Sequence, residues 1–308
     1  MWIRNAYITI RYNVRNGRAE REETISNAAI EFSVRLVALA SQGQTATIRV
    51  ANLAKADVLR LATTAGKWAT QSGGFGAQNP VNSIRLFAGW VDDGAPMIYE
   101  GTIVQATPEG LPDTWLTFEC ANNYESRFIA QTMDPIVGTI QNIAQRIAGL
   151  FGATLEVRSR NVLRQANFSS GSRSLWDCLL LFQRMFPELL LWIDAQTGKM
   201  YLDDALAVAR PADSSSALIV SGDGQRGNLK MIGLPEWNDQ YSGIEFKTML
   251  APTLRPLTWV RIDSSRYPQL FGNSLFRVRT IEHSGQTRGN DYYSHIWAVK
   301  PSADFVGA

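Results

Sequence analysis

Apolar and polar residues alternate with a period of two at both ends of this chain, and that rhythm breaks only in the middle. In "NAYITIRYNV", Tyr7, Thr9 and Arg11 alternate with Ile8, Ile10 and Tyr12. In "AAIEFSVRLVAL", Ile30, Phe32 and Val34 alternate with Glu31, Ser33 and Arg35, and "TATIRVANL" continues with Ile48 and Val50 on one face. Side chains of a strand point to opposite faces in turn, so this pattern predicts half-buried strands. "NSIRLFAGW" and "PMIYEGTIVQAT" are two more strands, joined by an Asp92-Asp93-Gly94 turn, and "DTWLTFECAN" follows with Leu116, Phe118 and Cys120 inward. The period changes once here: Val58, Leu61 and Ala62 fall at helical spacing and stop at Gly66. The late region alternates again, with Ile244, Phe246, Thr248 and Leu250 against Glu245, Lys247 and Met249. "LTWVRID", "LFRVRTIEHSG" and "YYSHIWAV" follow. No sequence-level repeat links the two β regions.

The middle obeys a different period. Ile136, Ile140, Ile143, Ile147 and Phe151 form one stripe of a helix, with Asp134 as the expected N-cap, Pro135 at its first position and Gly149 or Gly152 as its end. A second helix starts at the Ser174–Asp177 pair, buries Leu175, Leu179, Phe182 and Phe186, and stops at Pro187. "ELLLWIDAQTGKMYLDD" predicts a hairpin turning through Gln196-Thr197-Gly198. The Pro-, Ser- and Gly-rich stretch "ARPADSSSALIVSGDGQRGN" marks a boundary. The expected organisation is therefore a first β-barrel domain over 1–128, an α+β insert over 129–214 and a second β-barrel domain over 215–308. The fold class is mainly β with an α+β insert.

Little in this frame can do chemistry. Lys plus Arg number 30 and Asp plus Glu 28, a net charge of +2 that gives no global attraction to nucleic acid or anionic membrane. The two cysteines, Cys120 and Cys178, have no metal or redox spacing and read as buried thiols. The two histidines, His283 and His295, sit on late strands that could be neighbours, but Glu282 points away from His283 and completes no metal set. They read as surface or partly buried strand residues. "SGGFGAQ" at 72–78 and "SGDGQRGN" at 221–228 lack the Lys-Ser/Thr of a phosphate loop and the closing Glu of a calcium loop. Asp92-Asp93 and Asp203-Asp204 read as solvated turn acids, whose side chains diverge too far for glycosidase chemistry. Arg277 and Arg279, with Arg261 and Arg266 near in sequence, could form a local positive patch beside Phe276 and Tyr267. No stretch is apolar enough to span a membrane, and "MWIRNAYITI" does not read as a secretion signal. Nine tryptophans and nine tyrosines suit a large protein interface. The expectation is a non-enzymatic chain with no cofactor or metal, whose ordered β structure is itself the working part.

Several passages resemble the baseplate central hub proteins of contractile-tailed bacteriophages, built on tail-tube-like barrels. "TATIRVANLAKADVLRLATTAG" is similar to their strand–"NL"–helix passage, and "SIRLFAGWVDDGAPMIYEGTIVQATPEGLPDTWLTFECAN" to the stretch that follows it. In the last third, Gly233-Leu234-Pro235, Gly243-Ile244 and Leu250-Ala251-Pro252 fit the hub pattern, but Leu257 stands where the pattern has glycine. "FRVRTIEHSGQTRGNDYYSHIWAV" resembles the closing hairpin.

The resemblance implies two tail-tube-like β-barrel domains flanking a small helical domain, in a homotrimer whose three copies present six quasi-equivalent barrels. Such a trimer joins a threefold tail spike protein to a sixfold tail tube protein or tube-initiator, contacts other baseplate proteins, and lets DNA pass its channel without specific binding. It implies a virion component of the tail baseplate, assembled in the bacterial host cytoplasm. The segment 243–262, with Ile244, Phe246, Leu250, Trp259 and Arg261, is the expected subunit contact. Two rival readings are a tail-associated cell-wall hydrolase, which would need a converging acid pair, and a carbohydrate- or receptor-binding tail module, which would need exposed coplanar aromatics.

Overall fold

A computed structural model describes residues 3–14, 19–38, 43–54, 56–58, 61, 81–110, 114–123, 130–205, 217–221, 229–238, 243–263 and 275–300. The early alternating stretches form β1 (Arg4–Val14), β2 (Arg21–Ile25), β3 (Ile30–Val37), β4 (Thr45–Ala51), β5 (Val81–Trp90), β6 (Met97–Glu109) and β7 (Trp115–Ala121). The late ones form β15 (Leu218–Ser221), β16 (Leu229–Asn238), β17 (Gly243–Met249), β18 (Trp259–Ile262), β19 (Leu275–Gln286) and β20 (Tyr292–Val299). Gly94, at φ +80°, closes the expected turn between β5 and β6. Ala56–Val58 and Leu61 are helical, and Val58 and Leu61 enter the core, while Ala62 and Gly66 lie outside the described residues.

All thirteen strands belong to one sheet, ordered β18-β15-β16-β17-β20-β19-β3-β4-β7-β6-β5-β1-β2. An additional β18–β19 pairing closes the late six into a barrel. β3 then pairs antiparallel with β19, from Thr280↔Val37 to Gln286↔Glu31, so the sheet runs unbroken from late half to early half. The two β regions also share a single apolar core, holding Ile8, Ile48 and Phe118 with Phe246, Val260 and Ile296. Tyr292 ties them further by donating its hydroxyl to the carbonyls of Asn5 and Gly89.

The two halves repeat one another. The order β3-β4-β7-β6-β5 recurs as β16-β17-β20-β19-β18. Ser83↔Thr102, Ile84↔Gly101 and Arg85↔Glu100 recur as Trp259↔Arg277, Val260↔Phe276 and Arg261↔Leu275. The β4–β7 ladder, Thr45↔Ala121 to Ala51↔Trp115, recurs as Gly243↔Val299 to Met249↔Tyr293. Even the bulge is kept: β6 slips between Ile103 and Gln105, and β19 between Val278 and Thr280. β15 does not follow the pattern, because it runs parallel to β18 whereas β1 runs antiparallel to β5.

The insert comprises β8 (Ala130–Met133), β9 (Ile136–Thr139), α1 (Ile140–Leu150), β10 (Leu155–Val157), β11 (Gln165–Phe168), β12 (Gly171–Ser174), α2 (Leu175–Met185), β13 (Leu189–Ile193) and β14 (Met200–Asp204). Ser174 caps α2 as expected, accepting from the Asp177 amide, and β13 and β14 pair as the expected hairpin. The first helix begins later than its apolar stripe implied. Thr139, not Asp134, is the N-cap, because Ile136–Thr139 is a strand paired with β11. Three β-branched residues and Gly138 in that stretch disfavour helix. Ile136 still packs against the same core as Ile140, Ile143 and Ile147, which is why it fitted the helical period. Phe151 is the C-cap, and Gly152, at φ +64°, ends the helix.

Candidate subunit interface

Polar clips built on Gln44, Arg255 and Arg277 fix the insert to the sheet with one apolar cluster, beside bonds from the Glu100 amide to the Ala195 carbonyl and from Gln196 Nε2 to the Pro252 carbonyl. Gln44, nearly fully buried, donates Nε2 to the carbonyls of Val37 and Ile193 (3.1 and 3.0 Å) and accepts from the Ala195 amide at 2.8 Å. Arg255 reaches Asp194 at 2.8 Å. Arg277 lies buried against the end of β14: Nη1 donates to the Asp204 and Ala205 carbonyls, Nη2 sits 3.6 Å from Asp203, and the guanidinium stands over Trp259. Burial lowers the pKa of Arg277 and raises that of Asp203, against the pull of their mutual attraction. Asp203 is thus no solvated turn acid; it accepts from Trp192 Nε1 and is buried. Arg277 is likewise committed within the chain, and a bulge separates it from Arg279, so the two do not build a cationic face. Arg266 and Tyr267 lie outside the described residues. Ala38, Leu190, Trp192, Tyr201 and Leu257 pack together at the same junction.

The histidines do not meet. His283 pairs across from Ser294, and His295 from Glu282, so the two imidazoles occupy opposite faces of the β19–β20 ladder. His283 is fully buried, its Nδ1 2.8 Å from Ser294 Oγ, and burial pushes its pKa down to about 3. Ser294 Oγ also accepts from the Ala251 amide. This Ser–His contact is sealed from solvent, so no substrate can reach it as it stands. His295, on the outer face, contacts Glu245 at 2.7 Å. Both cysteines are free and buried, and burial raises both thiol pKa values. No cluster of three or more metal-ligating side chains occurs among the described residues. Nor is any described helix long and apolar enough to cross a membrane. The glycine-rich 72–78 and most of 221–228 lie outside the described residues.

Three arginines of the early sheet are paired in place. Arg49 sits between Glu31 (2.5 Å) and Glu109 (2.9 Å), and Arg11 between Glu22 (2.8 Å) and Glu100 (2.6 Å). Arg85 shares Glu100 at 3.1 Å. The hydrogen bond from Thr117, with Arg49, holds the Glu109 carboxyl below its usual range.

Of the residues expected at a subunit contact, Ile244, Phe246 and Leu250 have side chains only 1%, 2% and 3% exposed within the single chain. β17 is also paired on both edges, with β16 and β20, so Ile244 and Phe246 offer a second copy neither side chain nor backbone, while Leu250 just beyond it donates its amide to the Tyr292 carbonyl. The alternation that drew attention to them marks intramolecular core. Trp259 and Arg261 remain half-buried on β18. Exposed apolar residues cluster one strand away, on β16: Ile232 is 45% exposed, Leu234 60% and Trp237 51%, while Val137 and Leu163 stand out elsewhere, on the insert. Here Gly233, at φ +76°, and Pro235 interrupt the ladder with β17, which slips between Ile232 and Glu236 and leaves Leu234 standing out. The sequence carried a signal for this, since Gly-Leu-Pro inside an alternating stretch marks a bulge or an edge.

The family model described as baseplate hub gp41 matches residues 8–298. The chain belongs to that family. No curated protein sequence matches it. Among solved structures, the tail protein from Neisseria meningitidis MC58 is similar, with a TM-score of 0.58 at 10% identity, covering 96% of each chain. The 43 kDa tail protein of prophage MuSo2 from Shewanella oneidensis gives 0.55 at 10% identity, covering 96% of this chain and 98% of that one. An E. coli component of the type VI secretion system, described as similar to T4 tail proteins, gives 0.51 at 11% identity, covering 90% of this chain and 75% of that one. These likenesses establish a shared tail-protein fold, in keeping with the mainly β architecture expected from the sequence.

Proposed function

We propose that this baseplate hub family member is a structural, non-enzymatic virion protein acting as a homotrimer. In this reading it joins the threefold tail spike to the sixfold tail tube or its initiator, contacts other baseplate proteins, and lines the channel through which DNA leaves. The observation that carries the reading is the five-strand repeat. One chain supplies two quasi-equivalent units, so three chains supply six, and a threefold assembly can meet a sixfold partner. The neutralised arginines of the early sheet support the channel role. Each unpaired cation on a bore would act as a clamp on phosphate, and Arg49, Arg11 and Arg85 are held by glutamates instead. In this reading the protein is a component of the tail baseplate and is assembled in the host cytoplasm. The hydrolase and carbohydrate-binding alternatives gain no support from the sealed Ser–His contact or from Glu22, Glu31, Glu100 and Glu109, which are paired with arginines.

Mass measurement of the purified chain in solution tests the reading. A species of three times 34.2 kDa is expected. A stable monomer across micromolar concentrations would overturn it.

A further inference from the structure

The repeat has a gap in it. In the early unit β3 has a partner on each side: β4 on one and β19 on the other. Its counterpart β16 pairs with β17 but meets β15 only at Leu229 and Lys230. Among the described residues, 231–238 therefore have no strand on their other side. The late strand that receives β3 is β19, used beyond the point where β18 stops pairing with it. Its early counterpart is β6. There, pairing with β5 ends at Ser83↔Thr102, so Ile103–Glu109 have no strand on that side among the described residues. Among the described residues, each chain thus has one unmatched β3-type edge, on β16, and one unmatched β19-type edge, on β6. In the closed barrel β16 also lies three strands from β19 by either route, directly opposite the junction with the chain's own early half.

We infer that the Glu236–Asn238 end of β16 in one copy pairs antiparallel with the Thr107–Glu109 end of β6 in the next, repeating between chains the β3–β19 junction found within each chain. This rests on the trimeric reading above and names the surface that assembles it. The occupant is a second copy of this chain because its own β6 carries the complementary edge, in a geometry already realised once within the chain. A strand edge with exposed apolar side chains is what another chain's edge pairs with. In the register that the repeat fixes, Trp237 faces Pro108 and would be covered on assembly, with Leu234 flanking the seam, and an exposed tryptophan on such an edge is the kind of anchor that dominates interface energy. The contact is heterologous, since β16 and β6 are different surfaces, and heterologous contacts build rings.

The register follows from the repeat. Thr45 pairs with Arg35 in the early unit, and its counterpart Gly243 pairs with Asn238, so Asn238 takes the place of Arg35. Thr117 pairs with Thr107, and its counterpart His295 pairs with Glu282, so Thr107 takes the place of Glu282. Glu282 faces Arg35 within the chain. Thr107 of one copy therefore faces Asn238 of the next.

The full-length chain carrying Thr107→Cys and Asn238→Cys tests this, treated with a mild oxidant or a short bis-maleimide and read on a non-reducing gel. Covalent dimers and trimers are expected from the double variant and not from either single variant. Leu234→Asp, at an exposed position, is expected to lower the solution mass from trimer to monomer with an unchanged circular dichroism spectrum. A wild-type trimer with neither cross-linking nor sensitivity to Leu234→Asp would overturn this seam and leave the trimer standing. Dimers from Asn238→Cys alone would also overturn it, because they would show β16 meeting itself. A monomeric wild type would remove both the seam and the trimeric reading.

Discussion

Leu257 occupies a left-handed backbone conformation, at φ +68°, in the turn that leads into β18, where the hub pattern carries glycine. Its amide donates to the Val278 carbonyl at 2.8 Å, which fixes the turn, and its side chain is buried with Leu190, Trp192 and Tyr201 of the insert hairpin. Two opposing terms meet at this position. Left-handed geometry costs an L-residue roughly 1–2 kcal/mol, while truncating a buried leucine to alanine costs about 2–5 kcal/mol. Leucine is therefore the better residue here despite its strain, and both Leu257→Ala and Leu257→Gly should destabilise. Their order is the informative result. Alanine keeps the strain and glycine relieves it, against about 0.5–1 kcal/mol for the greater freedom of glycine in the unfolded chain. Glycine should come out ahead of alanine by roughly 0.5–1 kcal/mol. Urea unfolding followed by tryptophan fluorescence, compared at equal m-values, measures the difference. An alanine variant more stable than the glycine variant would show that the turn stores no such strain, and the reasoning would fail.

Two further perturbations address the clips and the buried histidine. Gln44→Leu leaves the Ala195 amide and the Ile193 carbonyl buried without their partner, which should cost about 1–3 kcal/mol; hydrogen exchange at Ala195 should accelerate, and unchanged protection there would show that Gln44 does not hold the insert. His283 has a folded-state pKa near 3, below its usual 6.5, because burial disfavours the imidazolium. Its contribution is thus fully present above pH 6.5 and is lost as pH falls toward 3, at up to about 1.4 kcal/mol per pH unit. The urea midpoint of His283→Leu should fall less steeply with acid than that of the wild type, and parallel acid limbs would refute the assignment.

Local features of this fold could be read from the chain. The capping Ser174 and the alternation of β3, β4 and β17 are set by residues within a few positions of one another. The joining of β3 to β19 could not be read this way, because it pairs Glu31 with Gln286 and no short-range pattern reports it. The repeat was hidden for a different reason. The pleat is preserved while its residues are exchanged: Ala46, Ile48 and Val50 on β4 correspond to Ile244, Phe246 and Thr248 on β17, and Leu116 and Phe118 on β7 to Ser294 and Ile296 on β20. A barrel interior constrains summed volume more than identity, so large and small residues can change places across a ladder. His283 illustrates the same freedom. It sits in the inward row with Ile281 and Gly285, a position the alternation marks as core, and Ser294 supplies its partner from the next strand.

The same reasoning separates the core of β17 from the surface of β16. Ile244 and Phe246 are apolar because the barrel must be filled, and they would be apolar in a lone molecule. Ile232, Leu234 and Trp237 fill nothing in the single chain, and the bulge at Gly233 and Pro235 turns them outward. A chain that gained nothing from contact there would do better with polar residues on an open edge, since exposed apolar edges invite aggregation. Under the hub reading that liability is tolerated because the edge is covered on assembly. The asymmetry of the repeat then has a physical reason: the β3 edge is covered by the chain's own β19, and the β16 edge, under the same reading, is covered by another chain.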